Sequence, residues 1–205
     1  MILLRDGRTL AIANGGYEMR PDTGRIRIDV EAMQPSLVFV DRLSGELITE
    51  HRLPAALNAL SIRHLAADPH GMVWFGAQWE GDMAAVPELI GCAGRDAPMR
   101  LVTPTSPLGR TLKGYVGSVA VSRDGSVVAA SAPRAGRIVF IDPATASVRA
   151  TTTLADGCGI AGIGGDSFAA SSGLGVLQFA RAGGAPDFSE TLPGVAFDNH
   201  MRLAL

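Results

Sequence analysis

One hairpin pattern recurs along the chain, and it restricts the possible folds more than any other feature of the sequence. A short β-prone run leads into a tight turn, and a second run of small and β-branched residues follows. The four copies centre on Gly7, Gly71, Gly125 and, more weakly, Gly165. Turns of the Asp-Gly type between two such runs predict β-hairpins.

Each of these hairpins is followed by a second one, so the repeating unit has four strands. The clearest second hairpins span residues 36–50 and 137–151, with turns at equivalent positions, and less regular ones span 88–102 and 175–192. A four-stranded antiparallel meander that repeats every ~40 to 60 residues has the size of a β-propeller blade. The sequence therefore predicts an all-β fold, a β-propeller of four-stranded antiparallel blades.

The chain of 205 residues divides into about four such blades within a single β-propeller domain, 1–205. Their expected bounds are about 1–54, 60–104, 114–155 and 157–193, which leaves one inner strand at 195–203 without a blade. A leftover innermost strand is what a ring needs when its last blade is completed by strands from the N-terminal end. We therefore expect an N-terminally truncated part of a larger ring.

Composition and charge exclude several classes of protein. Glycine and proline (25 and 12 residues) are spread along the chain, which favours short elements between turns. The net charge of −2 gives no indication of a nucleic-acid surface. No apolar run approaches the ~18 residues of a membrane span, and the N-terminus reaches a charged turn too early for a signal-peptide core. Cys92 and Cys158 have neither metal nor haem spacing and are expected to be buried.

The two faces of such a propeller differ in the length of their loops. Turns after the first and third strand of a blade share one face, and connections after the second and fourth share the other. The second set contains the long segments 15–35, 54–59, 79–87 and 103–113. Because binding groups are usually carried by long loops on a rigid scaffold, we predict that this long-loop face is functional. Polar residues at or near it are Asn14, Tyr17, Asp22, Arg63, His64, Gln78, Glu80, Asp198, Asn199 and His200.

Two chemistries are open to these residues. Imidazole and carboxylate groups are metal ligands, and His64 and His200 can both approach the axial channel. Because strand side chains alternate, we expect one of Arg63 and His64 to point towards a neighbouring blade and the other away. The alternative is that these polar groups hydrogen-bond to backbone between blades. The candidate metal ligands are His64, His200 and Glu80, with Asp198 as the alternative to Glu80. The candidate ligand-binding residues are Asn14, Arg63, Gln78, Asp198 and Asn199.

Other motifs have simpler explanations. Residues 157–162 match G-x-G-x-x-G, but a turn follows them where a dinucleotide site needs a helix. We interpret them as an inner strand, where small residues suit a crowded axis. Asp68, Asp124 and Asp142 occupy turn positions, so their carboxylates are expected to bond local backbone.

Seven segments together resemble the bacterial domain-of-unknown-function 1513 family: 13–16, 20–25, 33–38, 60–65, 76–81, 115–120 and 197–202. The resemblance covers essentially the whole chain and corresponds to the C-terminal part of family members. Phe197 stands where members typically have tryptophan before Asp-Asn-His.

The resemblance implies a seven-bladed ring of the YVTN and quinoprotein amine dehydrogenase β-chain-like superfamily. Family members are generally exported, often with a twin-arginine signal, so a periplasmic location is implied. Their genes tend to neighbour imelysin-like and di-haem peroxidase-like genes, which implies periplasmic iron-uptake proteins as partners. The family has no established catalytic residue, so the resemblance assigns none here.

Two functions from different classes follow. The first is a non-enzymatic binding or scaffold protein, associated with periplasmic iron uptake. The second is a propeller enzyme, lactonase-like or oxidoreductase-like, with a metal ion in the axial channel as its cofactor. The enzyme requires acidic residues and histidines to converge on the axis, whereas the binding protein requires a long-loop face that captures a partner.

Overall fold

The computed structural model describes residues 1–17, 32–102 and 108–203. Within them, sixteen strands form four antiparallel sheets of four strands each, and every sheet follows chain order. The first sheet, blade 1, comprises β1 (Ile2–Leu3), β2 (Thr9–Asn14), β3 (Ser36–Asp41) and β4 (Leu47–Arg52). Blade 2 comprises β5 (Leu60–Ala67), β6 (Val73–Trp79), β7 (Ile90–Ala93) and β8 (Arg100–Leu101).

Blades 3 and 4 repeat this arrangement. Blade 3 comprises β9 (Ser118–Val121), β10 (Val128–Ala132), β11 (Arg137–Asp142) and β12 (Ser147–Thr153). Blade 4 comprises β13 (Gly157–Gly164), β14 (Ser167–Ser172), β15 (Val176–Arg181) and β16 (Phe188–Thr191). The helical elements among the described residues are α1 (Leu108–Thr111) and the 3-10 turns Ala55–Leu57, Met83–Ala85 and Pro133–Ala135. The prediction of about four four-stranded antiparallel blades is confirmed.

Aspartate side chains hold the tight turns, as predicted. The Asp68 carboxylate accepts hydrogen bonds from the backbone N–H groups of His70 (2.8 Å) and Met72 (3.0 Å). Asp124 accepts one from Ser126 and Asp142 accepts one from Ala144 in the same way. The glycine that closes each first-hairpin turn has a positive φ, between 50° and 86°, which strongly favours glycine.

The blades pack face to face, and each middle blade is apolar on both sides. Along β6, Val73 and Phe75 join Phe39 in the core between blades 1 and 2, whereas Trp74 points into the core between blades 2 and 3. In β11, Phe140 lies in a third core, between blades 3 and 4. Because alternate side chains enter different cores, these strands are buried on both faces and have nearly continuous apolar sequences.

The first strands of the blades converge: β5 contacts β1 and β9, and β9 contacts β13. A Cβ atom at Gly76 would lie 2.3 Å from Val116 Cγ1, and one at Gly162 would lie 2.4 Å from the carbonyl oxygen of Val121. The glycine-rich segment is the inner strand β13, followed by a turn, so its interpretation as small residues at a crowded axis is confirmed. In the described part of the chain, no helix is long and apolar enough to cross a membrane.

Residues 195–203, predicted as an inner strand, have no strand conformation in this structure. The segment crosses the inner strands and is held by isolated contacts. The backbone N–H of Phe197 donates to the carbonyl of Ser172 (3.3 Å), and a Cβ at Gly159 would lie 3.0 Å from Met201 Cβ. A strand requires a continuous ladder with a neighbouring backbone, and single hydrogen bonds of this kind do not form one.

Candidate functional site

A groove of about 420 Å³ runs along the inner strands. We call it the axial groove. It is lined by residues 1–3 and Arg5 of blade 1, residues 63–67 of β5, all of β9, Ile160 and Ala161 of β13, and residues 199–202 of the C-terminal segment. All four blades and the C-terminal segment therefore contribute to one surface.

A β-bulge in β5 lies at two polar residues of this groove, Arg63 and His64. Ile62 pairs with Ala77 and His64 pairs with Gly76, so Arg63 is the extra residue without a partner on β6. A bulge breaks the alternation of side chains and redirects them locally. Both residues line the axial groove, but their side chains have different neighbours. The Arg63 guanidinium lies over Tyr17 in the loop of blade 1, whereas the His64 ring faces His200.

His64 faces His200 across the groove, with ring centroids 5.6 Å apart. Burial, together with the nearby His200 and Arg63, lowers the pKa of His64 from 6.5 to about 4, while Asp198 acts in the opposite direction. His64 is therefore a neutral imidazole at physiological pH, with one ring nitrogen as donor and the other as acceptor.

Arg63 is fixed by its surroundings at the long-loop end of the groove. Its guanidinium lies over the ring of Tyr17, 4.8 Å from the centroid. Gly15 leaves room for it, since a Cβ at Gly15 would lie 3.3 Å from the guanidinium carbon. The Arg63 Nε is buried and has no hydrogen-bond partner among the described residues.

Three neighbouring residues of the C-terminal segment differ in their placement. Asp198 and His200 are exposed, and their Oδ2 and Nδ1 atoms are 4.0 Å apart. Asn199 turns inward, and its Nδ2 donates to the hydroxyl of Tyr115 (3.3 Å). Asn199 thereby connects the axial groove with a second cavity.

This second cavity, which we call the interblade pocket, has a volume of about 160 Å³ and lies between blades 2 and 3. Its lining includes Gln78, Glu80, Tyr115 and Arg134. Gln78 forms an isolated antiparallel bridge with Tyr115, and the Arg134 guanidinium lies 4.5 Å from the centre of the Tyr115 ring. Cationic and aromatic groups in this arrangement attract each other.

The three predicted metal ligands are not brought together. His64 and His200 line the axial groove, whereas Glu80 lines the interblade pocket. Over residues 1–17, 32–102 and 108–203, no group of three or more His, Cys, Asp and Glu side chains is placed to hold a metal ion.

Two polar side chains near the long-loop face form hydrogen bonds between or within blades. Ser61 Oγ donates to the carbonyl of Gly15 (2.9 Å), which joins blade 2 to the loop of blade 1. Asn14 Nδ2 donates to Ser36 Oγ (3.0 Å) and so fastens β2 to β3. Asp22 lies outside the described residues, as do 18–31 of the first long loop and 103–107 of the last.

Sequence reasoning overlooked four residues at these cavities: Arg5 and Arg202 in the axial groove, and Tyr115 and Arg134 in the interblade pocket. Arg5 lies two residues after the end of the first inner strand, so its position in the repeat could have indicated that it lies near the axis. Arg202 and Tyr115 lie within segments that carry the family resemblance.

Both cysteines are buried and unpaired, as predicted. Burial raises the pKa of the Cys92 thiol, and it also raises that of Cys158, where the nearby Asp156 adds to the effect. A thiol with a raised pKa is a poor nucleophile at neutral pH, so neither cysteine adds to the reactivity of the site.

Solved structures with a similar fold come from several different proteins. BamB from Moraxella catarrhalis matches with a TM-score of 0.60 at 12% identity, over 99% of this chain and 50% of that one. A catalytically inactive virginiamycin B lyase from Staphylococcus aureus, solved with quinupristin, matches with a TM-score of 0.57 at 15% identity, over 78% and 50%. The Swd1 β-propeller domain from Myceliophteria thermophila matches with a TM-score of 0.55 at 13% identity, over 91% and 55%.

The chain thus spans about half the length of these structures. At such low identities the similarity establishes the β-propeller fold alone. No curated protein matches the sequence. The family model described as "Protein of unknown function (DUF1513)" matches residues 1–204, nearly the whole chain, and the protein therefore belongs to this family.

Proposed function

We propose that the protein is a non-enzymatic, periplasmic binding module that takes part in iron uptake. The observation that carries the binding role is the axial groove, where polar side chains from separate blades and from the C-terminal segment meet on a rigid scaffold. Family membership supports the periplasmic location and the link to iron uptake, because members of this family are generally exported and tend to be encoded beside imelysin-like and di-haem peroxidase-like proteins.

The test is a deletion of the gene in its native host, with growth followed in iron-limited and iron-replete media. We expect slower growth only under iron limitation, restored by the intact gene, and we expect the protein in the periplasmic fraction. Growth that is independent of iron supply, or a cytoplasmic location, would contradict the proposal.

Partner capture is proposed at the long-loop face. Trp79 Nε1 donates to the carbonyl of Asp82 (2.8 Å) and so shapes the loop that follows β6. We expect Trp79→Ala to complement the deletion poorly, whereas Arg42→Ala, at a turn on the opposite face, should complement it fully. Equal complementation by both variants would exclude a role for this loop.

The second candidate, a propeller enzyme with a metal ion, is favoured by one observation: the His64 and His200 rings lie 5.6 Å apart in the axial groove. Imidazole is a common metal ligand. The metal content of the purified protein should then fall when both histidines are replaced by alanine. An unchanged content in the folded double variant would reject this candidate.

A further inference from the structure

We infer that the axial groove binds a small oxyanion, a carboxylate or phosphate compound with at least two negative charges. The inference rests on the proposed role as a binding module and names the class of ligand.

The first argument is the distribution of charge. The described lining of the groove contains three arginines (Arg5, Arg63 and Arg202), two histidines and no aspartate or glutamate. The whole chain has a net charge of −2. Positive charge is therefore concentrated in one concave surface of a slightly acidic protein, and such a surface raises the local concentration of anions.

The second argument is the geometry of Arg63. Arg63 lines the groove at the bulge in β5, and its guanidinium lies over the ring of Tyr17. Its buried Nε has no hydrogen-bond partner in the described part of the chain. A guanidinium offers a rigid fork of donors that matches the two oxygens of a carboxylate or phosphate. A side chain held in place in this way loses little conformational entropy when it binds.

The third argument is the surroundings of His64. Burial is the main cause of its lowered pKa, and the nearby His200 and Arg63 add to the effect, so two basic residues disfavour positive charge at this point of the groove. A cation entering the groove would meet the same repulsion, whereas an anion would relieve it. Asp198, the acidic group nearest to His200, is largely exposed (86% of its side chain), so solvent weakens its competition.

Calorimetric titration of the purified chain with pyrophosphate and, separately, with citrate tests the inference at low ionic strength. We expect at least one of them to bind with 1:1 stoichiometry. The affinity should fall with added salt, since salt screens exposed charges. Comparison of the two titrations distinguishes a phosphate site from a carboxylate site. If neither compound binds, the inference is wrong.

Variants assign the binding to the groove. Arg63→Gln and, separately, Arg202→Gln should each lower the affinity about tenfold or more, the size expected when a charge-assisted hydrogen bond is lost. Arg202 is exposed, so its replacement does not threaten the fold. The control is Arg149→Gln in the outer strand β12, which removes the same charge far from the groove. Equal weakening in all three variants would show non-specific attraction and overturn the inference.

A second readout does not depend on affinity. A bound anion beside His64 should raise the pKa of that residue, which proton NMR of the imidazole measures with and without the ligand. An unchanged His64 pKa at saturation would place the ligand outside the groove. These binding experiments and the growth experiment test different proposals. Anion binding without an iron-dependent growth defect would support this inference and reject the role in iron uptake.

Discussion

His64 is the residue whose chemistry depends most strongly on its neighbours. Burial, His200 and Arg63 all disfavour its protonated form, and only Asp198 favours it. In the unfolded chain His64 takes up a proton near pH 6.5, whereas in the folded protein it does so only near pH 4. The unfolded state therefore binds more protons between these values, and the free energy of unfolding must fall as the pH is lowered through this window.

We expect NMR titration to show that the His64 imidazole remains neutral down to about pH 4. Arg63→Gln should raise this pKa, because the variant removes a positive neighbour. His64→Gln should weaken the loss of stability between pH 6.5 and 4 in denaturant titrations. His70→Gln, at an exposed turn, is the matched control. A His64 pKa that stays near 6.5 would contradict the burial seen here.

The turn aspartates give a second pH dependence, at lower pH. Hydrogen bonds from Thr9 and Arg8 lower the pKa of Asp6 to about 2, and those from Ser126 and Ser122 lower that of Asp124 to about 2. A depressed carboxyl pKa stabilises the fold above its unfolded value of 3.8, and this contribution is lost as the pH falls towards 2.

Replacement of these carboxylates should reduce the acid sensitivity of the fold. The Asp6→Asn/Asp124→Asn variant should lose less stability than the wild type between pH 4 and pH 2, because an amide accepts hydrogen bonds but does not titrate. Urea unfolding at a series of pH values measures the difference. Glu190→Gln, on the exposed strand β16, should behave like the wild type. Identical acid profiles for all three proteins would refute the assignment.

At the scale of elements, the packing of inner strands depends on glycine. A Cβ at Gly162 would lie 2.4 Å from the Val121 carbonyl oxygen, which belongs to the backbone of β9 and cannot rotate away. A Cβ at Gly164, two residues further along β13, would have no other atom within 4 Å. One strand therefore contains both a crowded and an open glycine.

This contrast gives a matched pair of substitutions. Gly162→Ala should destabilise the fold by about 1–3 kcal/mol, the usual cost of overpacking. Gly164→Ala should change stability little, or raise it slightly by restricting the unfolded chain. Thermal and urea unfolding of both variants measure the difference. A neutral Gly162→Ala would show that β13 and β9 are further apart than described here.

Some features of these elements can be predicted from the sequence, and others cannot. Asp68 and Asp124 occupy turns whose geometry is set by residues four or five positions apart, so local sequence predicts them. The bulge at Arg63 depends on how β5 pairs with β6, across the chain, and no residue type near it requires a bulge. For this reason the groove that Arg63 and His64 share could not be foreseen in detail.

At the scale of the whole molecule, the interfaces between blades hold the structure together. Phe140 is fully buried between blades 3 and 4 and packs against Phe168 with ring centroids 5.9 Å apart. Phe188, in β16, is 38% exposed and packs against Phe179. The first residue joins two blades, whereas the second belongs to the outer strand of one.

Equal changes at these two positions should have unequal effects. Phe140→Ala should cost about 3–5 kcal/mol, a large part of the ~5–15 kcal/mol that stabilises a typical domain. Phe188→Ala should cost much less, because little of its burial is lost. Circular dichroism during urea unfolding measures both. Similar losses would contradict the dependence of stability on the interface between blades.

The arrangement of the whole molecule is predictable from the repeat, but the long-range contacts of its loops are not. The four sheets follow from the spacing of Gly7, Gly71 and Gly125 and from the alternating patterns between them. Residues 195–203 have isolated contacts with distant residues such as Ser172 and Tyr115 in place of strand pairing, and local sequence does not predict such contacts. The grouping of Glu80 with the histidines failed, since its loop faces the interblade pocket. The implied ring of seven blades stays a prediction.

The bulge in β5 also determines where this strand can lose a residue. Without Arg63, Ile62 and His64 would be consecutive and still opposite Ala77 and Gly76, so the ladder would continue in register. Deletion of Leu65 would instead shift every later residue of the strand to the opposite face. A scan that deletes one residue of β5 at a time should therefore find that the fold tolerates the loss of Arg63. That deletion removes the guanidinium from the groove without putting another side chain in its place.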